Sequence, residues 1–232
     1  MSDTIPRHIA IIPDGNRRWA KAGGKTPIDG HTAGAEVLRA IMPYAADAGV
    51  ECISIWGMSL DNFAKRDLSE VTGLLGLFHK EFTDLAVSDD VHSRQVKISV
   101  FGRWQEKFPF PVKNKVQGAI DATAHYSKHF MNFFLAYNGV DEMLEAIKNI
   151  SKEGIKNITP EVVKQHLFTK DLPEVDLIIR TGGEPHLSAG FMMWDVTDSQ
   201  LWFTQKLWPE FTTKDFDEAI TEYATRQRRK GA

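Results

Sequence analysis

Between residues 8 and 21 the chain reads HIAIIPDGNRRWAK, and several of these side chains suit the chemistry of a phosphate ester. Arg17 and Arg18 carry planar cations whose forked N–H groups match phosphate oxygens. Asp14-Gly15-Asn16 makes a tight turn, and the residues after it can start a helix whose backbone N–H groups face an anion. Asp14 is the discordant member, because a carboxylate repels a phosphate. A divalent cation bridging the two resolves the conflict and makes Asp14 a candidate metal ligand. In the plainer reading, Asp14 or Asn16 only caps the helix.

Such a turn needs a strand to aim it. Residues 8–12 are apolar, rich in β-branched side chains and ended by Pro13, which predicts a short buried strand. Similar runs at 51–56, 97–101, 131–137, 175–179 and 201–204 predict five more. Helical spacing of apolar residues predicts helices over 31–49, 68–86, 111–127, 141–150, 160–167 and 213–229, with Pro43 either a kink in the first or a sign against it. Residues 57–66 read as a polar loop. The alternation predicts one α/β domain over 1–232, with a largely parallel six-stranded central sheet flanked by helices.

In a parallel sheet the loops after the first, second and fifth strands share one rim, where ligands of such sheets sit. That rim would gather Asp14, Asn16, Arg17 and Arg18 with Ser59, Asn62, Lys65 and Arg66, and with Arg180, Glu184, His186 and Ser188. Cations, hydroxyls and a carboxylate in one place suit a diphosphate with its metal. Beneath it, Leu74, Leu75, Phe78 and Phe82 of the 68–86 helix would face Phe133 and Leu135 and form an apolar slot. A cationic rim over an apolar slot fits an amphiphile with a charged head and a greasy tail. In the plainer alternatives the stripe is core and the rim arginines tie loops together.

Composition narrows the field. The 232 residues carry 28 basic and 31 acidic side chains, a formal charge of −3, which argues against a nucleic-acid partner. Cys52 is alone, so no intrachain disulfide can form, and a reducing, cytoplasmic setting is expected. The N-terminus lacks a signal-peptide pattern, and no apolar run approaches the ~18 residues of a membrane span. Peripheral contact with a membrane surface stays compatible with this composition. Gly24-Lys25-Thr26 resembles the end of a P-loop, but Trp19 stands where that motif needs glycine and Pro27 follows at once, so the motif is rejected.

Taken together, HIAIIPDGNRRWAK, GH at 30–31 with AGA at 33–35, SLDNF at 59–63 with SEV at 69–71, VDLIIRTGGE, and then LS, FMMW, LWFT and WPEF resemble the cis-prenyltransferases, from about His8 to Gly231 and in the right order. The resemblance implies an undecaprenyl diphosphate synthase-like fold and transfer of a prenyl group from an allylic diphosphate, with release of diphosphate and Mg²⁺ as cofactor. It implies a homodimer and prenyl diphosphate substrates. It assigns Asp14 to the metal and leaving group, and Ser59 and Asn62 to positioning of the condensing partner. Gly15, Asn16, Arg17 and Arg18 cradle the diphosphate with His31 nearby; Trp19, Phe63 and His186 count among the substrate-binding residues; Arg180 and Ser188 match the isopentenyl diphosphate site. Arg229-Lys230-Gly231 matches an Arg-x-Gly that reaches the site across the dimer interface. Phe78, Phe82 and Phe133 would shorten the slot, which Leu74 also lines, and with it the product. There is no Asp-Asp-x-x-Asp box, since Asp89-Asp90 is followed by Ser93, which sets the chain apart from the all-helical trans-prenyltransferases.

The departures from the family pattern cluster. Pro27 replaces a usual arginine, Pro185-His186 a polar-Arg pair, Val140 another arginine and Gln200 a usual metal-binding glutamate, with Asp198 a substitute nearby; Gly190 looks inserted. An amide is a weaker ligand than a carboxylate for a hard cation. These changes fall mostly on the acceptor side, while the allylic-diphosphate turn is intact. Three readings follow: a transferase with a remodelled acceptor site, such as one joining two allylic diphosphates head-to-middle; an ordinary chain elongator; and a non-catalytic partner subunit that retains the allylic pocket.

Overall fold

The computed structural model describes residues 5–226. Its centre is β1 (His8–Ile12), buried along its whole length. The chain continues through α1 (Asn16–Ala22), α2 (Pro27–Asp47), β2 (Cys52–Ser59), α3 (Leu60–Lys65), α4 (Leu68–Leu85), α5 (Asp89–Ser93) and β3 (Val96–Phe101). Then come α6 (Trp104–Lys107), α7 (Phe110–Thr123), β4 (His129–Tyr137), α8 (Gly139–Lys152), α9 (Pro160–His166), β5 (Leu177–Arg180), β6 (Gln200–Phe203) and α10 (Thr213–Thr225). The six strands form one sheet in the order β3-β4-β2-β1-β5-β6, and every pairing is parallel. This is the expected fold class.

Helices cover both faces, as an all-parallel sheet requires. On one face Ile9, Ile11, Ile53, Ile55 and Ile179 pack with α2, α4, α7 and α10 side chains such as Ile41, Leu74, Val116 and Phe216. On the other, Ala10, Ile12, Trp56 and Ile178 meet Phe134, Phe191 and Met192. The strand order reverses beside β1: β2 lies on one side and β5 on the other, so the loops leaving β1 and its neighbours part to form a crevice at the sheet's C-terminal edge.

Two local expectations are corrected. Helix α2 begins at Pro27, not His31, because Thr26 and Asp29 form a reciprocal capping box with proline in the first turn. Pro43 stands inside that helix without ending it. Residues 60–65 are a helix, capped by the Ser59 hydroxyl, which accepts the Asn62 N–H at 2.9 Å. No helix among the described residues is long and apolar enough to cross a membrane.

Candidate active site

A polar cavity of about 750 Å³ opens at the C-terminal edge of the sheet, lined among others by Asp14, Arg17, Arg18, His31, Asn62 and Arg66. The turn after β1 shapes its floor. Gly15 has φ 112°, and a Cβ there would lie 2.8–2.9 Å from Leu207, so a side chain is excluded by both conformation and space. Helix α1 starts from this glycine without a side-chain cap, which leaves its first amides for a ligand. Trp208 seals the turn from behind: its N–H donates to the Asp14 carbonyl at 2.9 Å and its indole N–H to the Gly34 carbonyl at 2.8 Å.

Two guanidinium groups hold the Asp14 carboxylate. Arg18 Nη2 is 3.2 Å from Oδ1, and Arg180 Nη2 donates to Oδ2 at 3.0 Å. Gly182, with φ 86°, makes room, since a Cβ there would come within 2.4 Å of Arg18. Arg180 is buried at the end of β5, and its Nη1 donates to the Ser188 hydroxyl at 2.7 Å and to the His186 carbonyl.

A second cluster stands across the cavity. Glu70, at the start of α4, accepts from Arg66 Nη1 at 2.9 Å and lies 3.6 Å from Arg17 Nε. His31 Nε2 sits 3.3 Å from Arg66 Nη1 and 3.4 Å from Glu70 Oε1. Burial, and then the Arg66 charge, push the His31 pKa down to about 4, so the imidazole is neutral at physiological pH and its Nε2 lone pair can accept from Arg66. Glu70 and His31 thus hold Arg66 in place, with Arg17 close to the same carboxylate.

The structure brings Asp14, Gly15, Asn16, Arg17, Arg18, His31, Asn62 and Ser188 together on one cavity, as the sequence reading expected. It places other residues differently. Ser59 is buried and its hydroxyl caps α3, so it orients Asn62 rather than facing the cavity. Phe63 stacks on Phe108 with ring centroids 6.0 Å apart. Trp19 presents its ring to the Lys25 ammonium, 4.5 Å from the centroid. The His186 imidazole is 59% exposed and 3.9 Å from Glu184; its carbonyl, not its ring, meets Arg180. Gln200 opens β6 in register with Leu177, at the end of β5 away from Arg180, and its amide faces the Tyr223 carbonyl at 3.5 Å. Arg229 and Gly231 lie outside the described residues.

Glu70 lies in the SEV block at 69–71 but was not singled out as a site residue; its other local signal, the four-residue spacing from Arg66, is as common on solvated helix faces. Lys21 and Lys25, which also line the cavity, were read only as part of the helix start and as part of a rejected motif.

Beneath the polar cavity lies an apolar one of about 120 Å³ between α2, α4 and β4, lined by Leu74, Phe78, Phe82 and Phe133 as expected for the slot. Pro13, Asn16, His31, Trp56 and Gly57 line both cavities, so the cationic rim and the slot are continuous.

As to a metal, the described residues contain no group of three or more His, Cys, Asp and Glu side chains suited to one. A lone carboxylate in a cationic cavity is nonetheless the donor set Mg²⁺ uses beside a phosphorylated ligand, where the remaining positions go to phosphate oxygens and water. The Asp14 site fits that pattern.

A parallel α/β sheet carrying a cationic cavity over an apolar slot suits a ligand with an anionic head and an apolar tail. Comparison with known proteins agrees. Residues 12–231 match the family described as putative undecaprenyl diphosphate synthase. The tritrans,polycis-undecaprenyl-diphosphate synthase (geranylgeranyl-diphosphate specific) of Pyrococcus horikoshii is 36% identical over 99% of this chain and 88% of its own length. An isoprenyl transferase of Chlamydia trachomatis is 36% identical over 99% of the chain and 92% of its own. The crystal structure of lavandulyl diphosphate synthase from Lavandula x intermedia, in complex with dimethylallyl diphosphate, superposes with a TM-score of 0.90 at 30% identity, covering 97% of this chain and 98% of that one. The chain belongs to the undecaprenyl diphosphate synthase family and is a cis-prenyltransferase.

Proposed function

We propose that this enzyme condenses a short allylic diphosphate with isopentenyl diphosphate or a related acceptor, releases diphosphate, and gives a short-chain product. The observation that carries the reading is the continuity of the Asp14 cavity with the small apolar slot, which seats a charged head and a short tail in one step. The allylic C–O bond breaks with its electron pair going to the diphosphate, the acceptor double bond attacks the allylic carbon, and a proton leaves the acceptor. Arg17, Arg18 and Arg66 bind oxygens of the departing diphosphate, where negative charge develops. Neutral His31 and Glu70 hold Arg66 in place, and Asn62, fixed by the Ser59 cap, faces the reacting region. Apolar walls of the slot keep water from the allylic cation. Mg²⁺, held by Asp14 with phosphate oxygens and water, would supply further charge neutralisation on the leaving group.

A second reading concerns the acceptor. Gln200 faces Tyr223, and the His186 imidazole points toward Glu184, so neither lines the cavity. These positions favour an acceptor other than isopentenyl diphosphate, and the similarity to a lavandulyl diphosphate synthase holding dimethylallyl diphosphate supports a second allylic diphosphate in that role. The intact Asp14 turn argues against a non-catalytic subunit. Exposed Val140, Leu144 and Ile147 along one side of α8, and Leu201 on edge strand β6, support the homodimer. The lone buried Cys52 supports a cytoplasmic setting.

The test is purified protein with Mg²⁺, allylic diphosphates of one to three isoprene units and isopentenyl diphosphate, with products identified by mass. Chain growth with diphosphate release supports the main reading. Release without isopentenyl diphosphate incorporation supports the second. Binding without any release would reject both in favour of a partner subunit.

A further inference from the structure

Among the described residues, the lysines and arginines that line the polar cavity fall into two groups. Three arginines are tied to carboxylates: Arg18 to Asp14 at 3.2 Å, and Arg66 and Arg17 to Glu70 at 2.9 and 3.6 Å. Lys21 and Lys25 pair with no carboxylate of the described residues. Asp29 feels the Lys25 charge, but its carboxylate accepts from the Thr26 N–H at 2.8 Å and hydroxyl at 2.7 Å instead. Lys25 is held by other means. Helix α1 ends at Ala22, Gly24 takes φ 65°, and the Lys25 N–H then donates to the Ala20 carbonyl at 2.8 Å. This turn brings the Lys25 side chain back over Trp19, with Nζ 4.5 Å from the ring centroid. An aromatic face attracts an ammonium without neutralising it, as a carboxylate would.

Pro13, Asn16 and His31 line both the polar cavity and the slot, whereas Lys25 lines the polar cavity alone. An amphiphile with its tail in the slot therefore places its first phosphate beside the Gly15–Asn16 turn and its second farther out, toward the C-terminal end of α1. Resting on the proposed function, we propose that Lys25, held on the face of Trp19, binds the terminal phosphate of the allylic diphosphate and makes the site prefer a diphosphate to a monophosphate. The three arginines give up part of an existing ion pair when an anion binds. Lys25 gives up none, so a larger share of its attraction appears as affinity.

The test is calorimetric titration of the full chain, at one fixed Mg²⁺ concentration, with dimethylallyl monophosphate and the non-reactive dimethylallyl thiolodiphosphate. Lys25→Met should weaken binding of the diphosphate analogue by about tenfold, the worth of one charge-assisted hydrogen bond, and leave the monophosphate unchanged. Lys25→Arg should keep the wild-type preference. Trp19→Leu retains the lysine but removes the face that holds it, and should cost about threefold on the diphosphate analogue alone. Lys25 is exposed, so the urea midpoint of Lys25→Met should match that of wild type. Equal weakening of both ligands by Lys25→Met would overturn the inference, because it would show a general effect of charge. Unchanged diphosphate affinity in that variant, or equal affinity of wild type for the two ligands, would overturn it as well. In each of these cases the proposed function stands. Failure of wild type to bind either ligand would overturn the proposed function, and the inference with it.

Discussion

Arg180 donates through Nη2 to Oδ2 of Asp14 at 3.0 Å, although the two residues stand 166 positions apart. With Arg18 on the other carboxylate oxygen, the pair explains how an acid sits in a cationic cavity. The arginines supply the compensating charge. On the proposed function, a diphosphate would draw these arginines to its oxygens and free the carboxylate for a cation. The same carboxylate is therefore a clamp in one state and a candidate ligand in the other.

Replacing Asp14 with asparagine keeps an acceptor for Arg180 and removes the charge. Turnover is expected to fall on the order of 10²- to 10³-fold, with an unchanged far-UV circular dichroism spectrum. Steady-state diphosphate release measures this. Near-normal turnover in Asp14→Asn would remove Asp14 from the leaving-group role.

Glu70 neutralises Arg66 and Arg17 in a largely buried setting, its side chain only 6% exposed. Glu70→Gln should cost about 2–4 kcal/mol in urea unfolding, because Arg66 loses its charged partner. Titration with inorganic diphosphate should show binding no weaker than in wild type, since the anion replaces the lost charge. Weaker binding would mean that orientation of the arginines, not their net charge, limits affinity.

His8, enclosed between the Pro173 carbonyl at 2.9 Å and the Ser54 hydroxyl at 2.8 Å, has a pKa pushed down to about 4, mainly by burial. The unfolded chain takes up a proton there below the ordinary value of 6.5, while the folded chain does so only near 4. Its contribution to stability is complete above that ordinary value and is lost as pH falls toward 4, by up to about 1.4 kcal/mol per pH unit. His31 acts in the same direction and the same window. Glu142 and Asp195, raised by burial, act oppositely as pH rises from the carboxylate range. Unfolding of His8→Gln and wild type from pH 4 to 7 separates the terms: the variant should lose about one proton's worth of slope. Parallel curves would contradict the assignment.

Gln200→Glu would restore the family's usual carboxylate. In this chain that side chain faces the Tyr223 carbonyl, and its Oε1 is buried without a partner. The substitution should lower stability by about 1–3 kcal/mol and leave use of isopentenyl diphosphate unimproved, even combined with His186→Arg. A clear fall in the KM for isopentenyl diphosphate would show that position 200 reaches the acceptor.

Much of the architecture was legible in residue order. Apolar β-branched runs and helical stripes are local patterns, and they encode which face of each element is buried, so the alternation of strands and helices pointed to a largely parallel sheet and put Asp14, Arg17 and Arg18 on its rim. The α4 stripe likewise foretold the slot, because Leu74, Phe78 and Phe82 share one face by spacing alone. What tertiary structure decided is which charge meets which. Glu70 reaches His31, and Asp14 reaches Arg180, through the packing of α2 on α4 and the register of β1 on β5. The same long-range packing turned Ser59 into a cap, sent Phe63 to Phe108 and left the His186 ring outside the cavity. Periodicity specifies a face; the partner found on that face depends on distances across the sheet, which no local pattern carries.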